Sequence, residues 1–371
     1  MSEPIDIETL NAELQADNIG WSAAANPITQ LSSEEQNLLL GVNPGPNDMT
    51  VEEAHQATLA TPTVTVDQAM AEMNAGAPPR FDNRNVGGRN YTTPVKNQGS
   101  CGSCVAFGTV GVLETTYQRQ HNLPDSGIDL SEAHMFYCHG SSVGASCANG
   151  WLPEPAFTLA KDQGVATEDM FPYVGSQQTC QVQNGWQNSK ITSAGHQKLT
   201  SRAAIKDWIA TKGSVTGCFV VYSDFFAYRS GVYRRQSDER RGGHCVEIIG
   251  YDDAEAAWIC KNSWGTGWGD NGYVKIGYGQ CQIETWAGPY GVTGVTLKAW
   301  ANGAKVTGLY TTKSAKNTWA HLSGQGWKRL ATSTEQTQHA MLAELIAART
   351  ADRKVNALLD DNKINTLYAL V

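Results

Sequence analysis

The spacing of apolar residues changes midway along this chain, and that change limits the folds open to it. Up to about residue 175 the spacing is helical. Residues 102–118 (GSCVAFGTVGVLETTYQ) place Val105, Phe107, Val110 and Leu113 for a buried helix that opens just before Cys104. Residues 130–138 and 151–163 read as further helices. From residue 214 the pattern is that of strands, at 215–222, 245–251, 257–261 and 272–276, separated by Gly- and Asp-rich turns. A helical half followed by a β half predicts an α+β, two-lobed architecture with a cleft between the lobes, a common place for substrate.

Charge divides the chain differently. Residues 1–79 carry 12 acidic side chains and no Lys or Arg, so all 28 basic side chains lie beyond them. Helices are expected at 5–16 and 32–40, the second opened by a Ser32–Glu35 capping box and stopped by Gly41. Residues 49–79 read as a linker with one helix near 66–75 and a processing boundary at Ala77-Pro78-Pro79. An acidic leader ahead of a slightly basic body is either a solvated tail or an intramolecular inhibitor that acid releases by neutralising its carboxylates. The net charge of −8, with basic residues scattered, argues against nucleic acid. No stretch of 18 apolar residues predicts a membrane span, and the opening MSEPIDIETL does not read as a signal peptide.

Residues 299–371 form a separate accessory module. VTGLYTT, TWAHL and WKRLA read as short strands, 337–351 as an amphipathic helix, and VNALLDD with INTLYAL as a closing hairpin. Together they predict a small α+β domain. Tyr310, Trp319 and Trp327 are placed in its core, with a sugar or protein ligand as the alternative role. The expected division is therefore 1–79, 80–298 and 299–371.

Amide hydrolysis needs a nucleophile, a proton shuttle and an oxyanion stabiliser. A thiol serves only as thiolate, which a helix N-terminus and a nearby imidazolium favour. Cys104 has the first feature. The nine cysteines are an odd number, and no CxxC…CxxC or CxxC…HxxxH spacing calls for a metal; no cofactor is implied.

The run Gln98-Gly-Ser-Cys101-Gly-Ser-Cys104, then GGHCVEIIGYDD around His244 and CKNSWGTGWGDNGYVKI around Asn262, resembles the papain family of cysteine proteases, with cathepsin B-like features in VVYSDFFAYRSGVY and CQIET. The resemblance covers roughly residues 80–298. It implies a papain-like fold and a peptidase acting on peptide or protein substrates. Cys104 would be the nucleophile, His244 the general base and acid, and Asn262 the group orienting His244. Gln98 would form the oxyanion hole and Trp264 would cover the His–Asn bond. It also implies disulfides Cys101–Cys147 and Cys138–Cys180, and with them an oxidising destination, secreted or in an acidic lysosome-like compartment. The leader resembles a short prosegment crossing the cleft in a non-productive direction.

Departures from the family bear on specificity. Val105 stands where an aromatic residue is usual. Trp151 replaces the second glycine of the C-x-N-G-G run, which leaves Gly150 as the residue expected to pair with the substrate backbone. Trp286 is expected to floor a shallow pocket for the second residue before the cut. The stretch from Cys147 to Cys180 is too short for the insertion that makes cathepsin B a carboxydipeptidase, so an endopeptidase is expected. Finally, a hairpin turning at Asp252-Asp253 predicts His244 opposite Asn262 on one face, with Cys245 on the other.

Overall fold

The computed structural model describes residues 5–72, 77–312, 317–331, 334–360 and 363–370. The chain divides into two compact units: Met1–Val182 with Ser193–Val295, and Gln183–Thr192 with Thr296–Val371.

In the first unit the helices are α1 (Ile7–Ala16), α2 (Ser33–Asn37), α3 (Val51–Ala60), α4 (Val66–Ala71), α5 (Cys104–His121), α6 (Pro153–Asp162) and α7 (Arg202–Thr211). The leader is more ordered than its composition suggests. Capping boxes at Ser32–Glu35, Thr50–Glu53 and Thr65–Gln68 start α2, α3 and α4, and α3 lies where the sequence reads as linker. Residues 73–75 of the helix expected near 66–75 lie outside the described residues. Gly41 is not a helix stop: α2 ends at Asn37, and Gly41 is required because a Cβ there would run into the Gly102 carbonyl.

The strands form a sheet in the order Trp21–Ala23, Tyr228–Tyr233, Tyr273–Gly277, Ala257–Lys261, Arg240–Asp252, Arg80–Asp82, with Val215–Tyr222 also paired to Arg240–Asp252. Helix α5 packs on Arg240–Asp252. The approach is close because Gly108 and Gly111 face it: a Cβ on Gly108 would lie 2.7 Å from Cys245 Sγ. Residues 134–140, read as part of a helix, are wound as a π-helix.

A buried ion pair bridges helix and sheet. Lys261 Nζ lies 2.7 Å from Glu247 Oε2. Glu247 also accepts from the Thr115 and Ser214 hydroxyls at 2.6 Å each, and Lys261 donates to Thr93. Lys261→Met strands a buried carboxylate and should cost about 3–5 kcal/mol in denaturant unfolding. The double variant with Glu247→Gln should recover part of that loss.

The second unit is a closed barrel. Around it run Thr296–Thr311, Thr318–Leu322, Gly326–Leu330, Lys363–Ala369 and Lys354–Asp360, which returns to Thr296–Thr311. All neighbours are antiparallel except Gly326–Leu330 with Lys363–Ala369, which are parallel. Helix α8 (Glu335–Thr350) joins the third and fourth strands in sequence and contributes Leu345 and Ala348 to the core. This connectivity, 1-2-3-5-4-1 with a helix between strands 3 and 4, is that of the OB barrel. Its edge is extended by Lys190–Thr192, which pairs with Thr296–Lys298. The unit thus takes residues 183–192 from within the stretch that the sequence assigns to the catalytic domain, and it begins at Thr296 rather than 299. Tyr310 and Trp327 are not core residues: they are 54% and 46% exposed. Alternation along the strands turns them outward, whereas Leu309, Ala320 and Leu330 point in.

Candidate active site

Cys104 is the first residue of α5, after Ser103, which caps the helix without a side-chain bond. Gly99, Ser100 and Gly102 bring the chain to it in tight turns, and Cys101 is bonded to Cys147. A second disulfide joins Cys138 to Cys180. The Cys104 thiol is fully buried and pushed up to about 12 by that burial, partly offset by hydrogen bonds from the backbone N–H groups of Cys245, Gly41 and Val105.

His244 comes from the Arg240–Asp252 strand. Its Nε2 lies 2.7 Å from Asn262 Oδ1, and burial pushes the imidazole down to about 4 against the pull of Asn262 and the Leu39 backbone. The two residues are not directly opposite. Lys261 pairs with Glu247, and a bulge follows between Ile248 and Gly250. His244 therefore reaches Asn262 diagonally; its cross-strand partner is Phe219 on the other side. The face argument survives the shift in register, because a diagonal neighbour shares the face, and Cys245 packs the other way, against Gly108. The Trp264 ring lies 4.6 Å from the imidazole, backed by Phe225, Phe226 and Trp268.

The Gln98 amide is fixed from both sides. Its Oε1 accepts from Ser263 Oγ at 2.7 Å, and its Nε2 donates to Cys101 O at 2.7 Å and to Leu39 O at 3.0 Å. Ser263 is a positioning residue that sequence reading passed over, although it stands between Asn262 and Trp264.

The leader occupies this place. Gly41 N and Val42 N both donate to Gly243 O, Trp151 N donates to Gly41 O, and Asn43 N donates to Trp151 O. It is thus the Trp151 backbone, not that of Gly150, that pairs with the crossing chain; Gly150 instead lets Gly41 approach. Trp286 is buried beneath Gly243, and its Nε1 donates to Met49 O at 2.7 Å. Arg241 clasps α2 through Gln36 Oε1, Ser33 O and Asn37 Oδ1. Ion pairs Asp48–Lys198, Glu52–Arg240 and Glu72–Arg202 hold the rest.

The family model described as "Papain family cysteine protease" matches residues 77–288, more than half of the sequence. The chain belongs to the papain family of cysteine proteases. Among curated papain-family and related proteins it is 34% identical over 206 residues to a "Cathepsin L-like proteinase" of Fasciola hepatica, covering 55% of this chain and 61% of that one. It is 36% identical to the "Thiol protease aleurain" of Arabidopsis thaliana, covering 53% and 56%. The chain spans about three-fifths of the length of these relatives. Its fold is shared with solved precursors. One is proCathepsin B S9 from Trypanosoma congolense, with a TM-score of 0.63 at 22% identity, covering 79% of this chain and 99% of that one. Another is procathepsin L 3 of Tenebrio molitor larval midgut, with a TM-score of 0.60 at 25% identity, covering 77% and 87%. Among the described residues no helix is long and apolar enough to cross a membrane, and no group of three His, Cys, Asp or Glu is placed to hold a metal.

Proposed function

We propose that this chain is a cysteine endopeptidase made as a latent precursor, whose residues 5–72 inhibit it and whose cleft opens in acid. The observation that carries the reading is the Gln98 amide. It points at a carbonyl oxygen of the leader, Leu39 O, where a substrate's developing oxyanion would sit, beside Cys104 and the His244–Asn262 pair.

In the open enzyme, His244 takes the Cys104 proton to give the thiolate–imidazolium pair. The thiolate adds to the scissile carbonyl, and Gln98 Nε2 with the Cys104 N–H holds the oxyanion. His244 then protonates the leaving amine, and water releases the acyl group. Asn262 keeps the ring oriented, and Trp264 shields their bond from water, which strengthens it. Trp286, buried under Gly243, would leave only a shallow pocket for the second residue before the cut.

The test compares the parent chain with Cys104→Ala after a shift to acid with a reductant. Expected is loss of the leader up to the Ala77-Pro78-Pro79 boundary in the parent alone, with peptide hydrolysis appearing in step. If both chains are trimmed alike, or neither hydrolyses peptide, the reading fails. Gln98→Ala should lower kcat by about 10²–10³ with little change in KM, measured on a fluorogenic peptide.

A further inference from the structure

The whole-chain charge of −8 conceals a sharp division. Residues 183–192 and 296–371 carry 11 Lys and Arg against 5 Asp and Glu, whereas the rest of the chain carries 17 against 31. The barrel is therefore a basic body within an acidic protein.

Its first three strands also present an unusual outer face. Two rows of side chains run across them. In one, Tyr310 pairs with Trp319, which pairs with Arg329; in the other, Gly308 pairs with His321, which pairs with Trp327. The Trp327 ring packs edge-on to His321 at 5.3 Å and spreads over Gly308, where a Cβ would come within 2.9 Å of it. Thr307 Oγ1 bonds to His321 Nδ1, and Trp319 Nε1 donates to Asn317 Oδ1 at 2.8 Å, which fixes both rings. Tyr310 and Trp327 remain about half exposed although the barrel core is well filled, so folding does not account for their place.

Fixed aromatic rings on adjacent strands, on a body with excess positive charge, are what a flexible polyanion with flat bases requires: rings to stack on and cations for its phosphates. The outer face of strands 2 and 3 is also where barrels of this connectivity take extended ligands. We propose that this face, centred on Tyr310, Trp319, His321, Trp327 and Arg329, binds single-stranded nucleic acid. A neutral glycan would use the rings but gain nothing from the charge. Nucleic acid is the class that the chain's overall charge argues against; that argument averages over both units, whereas the excess of positive charge belongs to the barrel alone.

The test uses the full-length chain carrying Cys104→Ala, so that it does not cut itself, and a labelled oligothymidylate of about 15 nucleotides, enough for one barrel. Fluorescence anisotropy should show binding at low salt that weakens steadily as salt rises. Tyr310→Ala and Trp327→Ala should each weaken it about tenfold, as loss of a stacking ring does, while the melting temperature of these exposed-site variants stays put. Three results would each overturn the proposal: no binding at low salt, binding indifferent to both substitutions, or binding to a neutral β-glucan oligosaccharide that depends on the rings while oligothymidylate stays free.

Discussion

At neutral pH, Cys104 in the full-length chain should react with iodoacetamide at least about a thousandfold more slowly than in the enzyme freed of its leader. The thiolate is the reacting species, and burial pushes the Cys104 thiol up to about 12 while it pushes His244 down to about 4. Both groups are therefore neutral under the leader. Removing Gly41 and its neighbours lets water in and restores the ion pair. In a Cys104→Ala chain, where His244 has no thiolate partner, the same burial makes the closed form sensitive to acid: His244 binds its proton less readily when covered, so the open form takes up more protons as pH falls. The closed form is at its most stable near and above pH 6.5 and loses stability between there and about 4, by on the order of 3 kcal/mol. The Glu72–Arg202 and Glu52–Arg240 pairs each have a carboxylate that is more than half exposed, and they contribute little. In the Cys104→Ala chain, hydrogen exchange at residues 38–43 should thus accelerate through that window even when Glu52 and Glu72 are replaced by Gln. A flat profile would mean that His244 is not the sensor.

Gly41→Val should destroy latency. Gly41 lies against the Gly102 carbonyl on one side and Gly150 on the other, and both partners are backbone, which cannot swing aside. Forcing a branched side chain into such a site costs about 1–3 kcal/mol or more, and here the leader can escape the clash by lifting off. The variant should hydrolyse peptide without an acid step. An isolated leader peptide with the same change should inhibit the processed enzyme about 10–100-fold less well than the parent peptide. Equal inhibition would show that the seat is held elsewhere, for instance by Arg241.

Much of this site is legible in the order of residues alone. Gln98, Cys104, His244 and Asn262 stand in short runs with fixed local geometry, so pattern brings them to notice. What pattern cannot carry is register. The strands turn beyond Asp252-Asp253 and pair Asp252 with Ala257 and Glu247 with Lys261, which sets Asn262 two residues from the expected pairing with His244, and the period-2 alternation keeps them on one face. The exchange of Gly150 for Trp151 as the backbone partner has the same origin: pairing there depends on N–H and C=O groups, which every residue has. Helix α3 escapes notice because its Thr50–Glu53 cap precedes a weakly apolar run, and it is held by contacts such as His55 with Tyr222. The barrel is legible as strands and a helix but not as a closed ring, since closure rests on Thr296–Thr311 pairing with the distant strand Lys354–Asp360 as well as with its neighbour Thr318–Leu322.

The strand Lys190–Thr192 gives the barrel a second hold on the enzyme. The chain enters that unit at residue 183, leaves after 192 and returns at 296, so the barrel is moored at three points along the backbone rather than trailing from one. A protease is exposed to its own products and neighbours, and a module on a single tether is shed by one cut. Here a break between 295 and 296 leaves Thr296–Lys298 still hydrogen-bonded to Lys190–Thr192, so the severed piece stays paired with a segment that remains covalently joined to the rest of the chain. Loss of the barrel would require cuts on both sides, and a gel under denaturing conditions would show two fragments where gel filtration shows one particle.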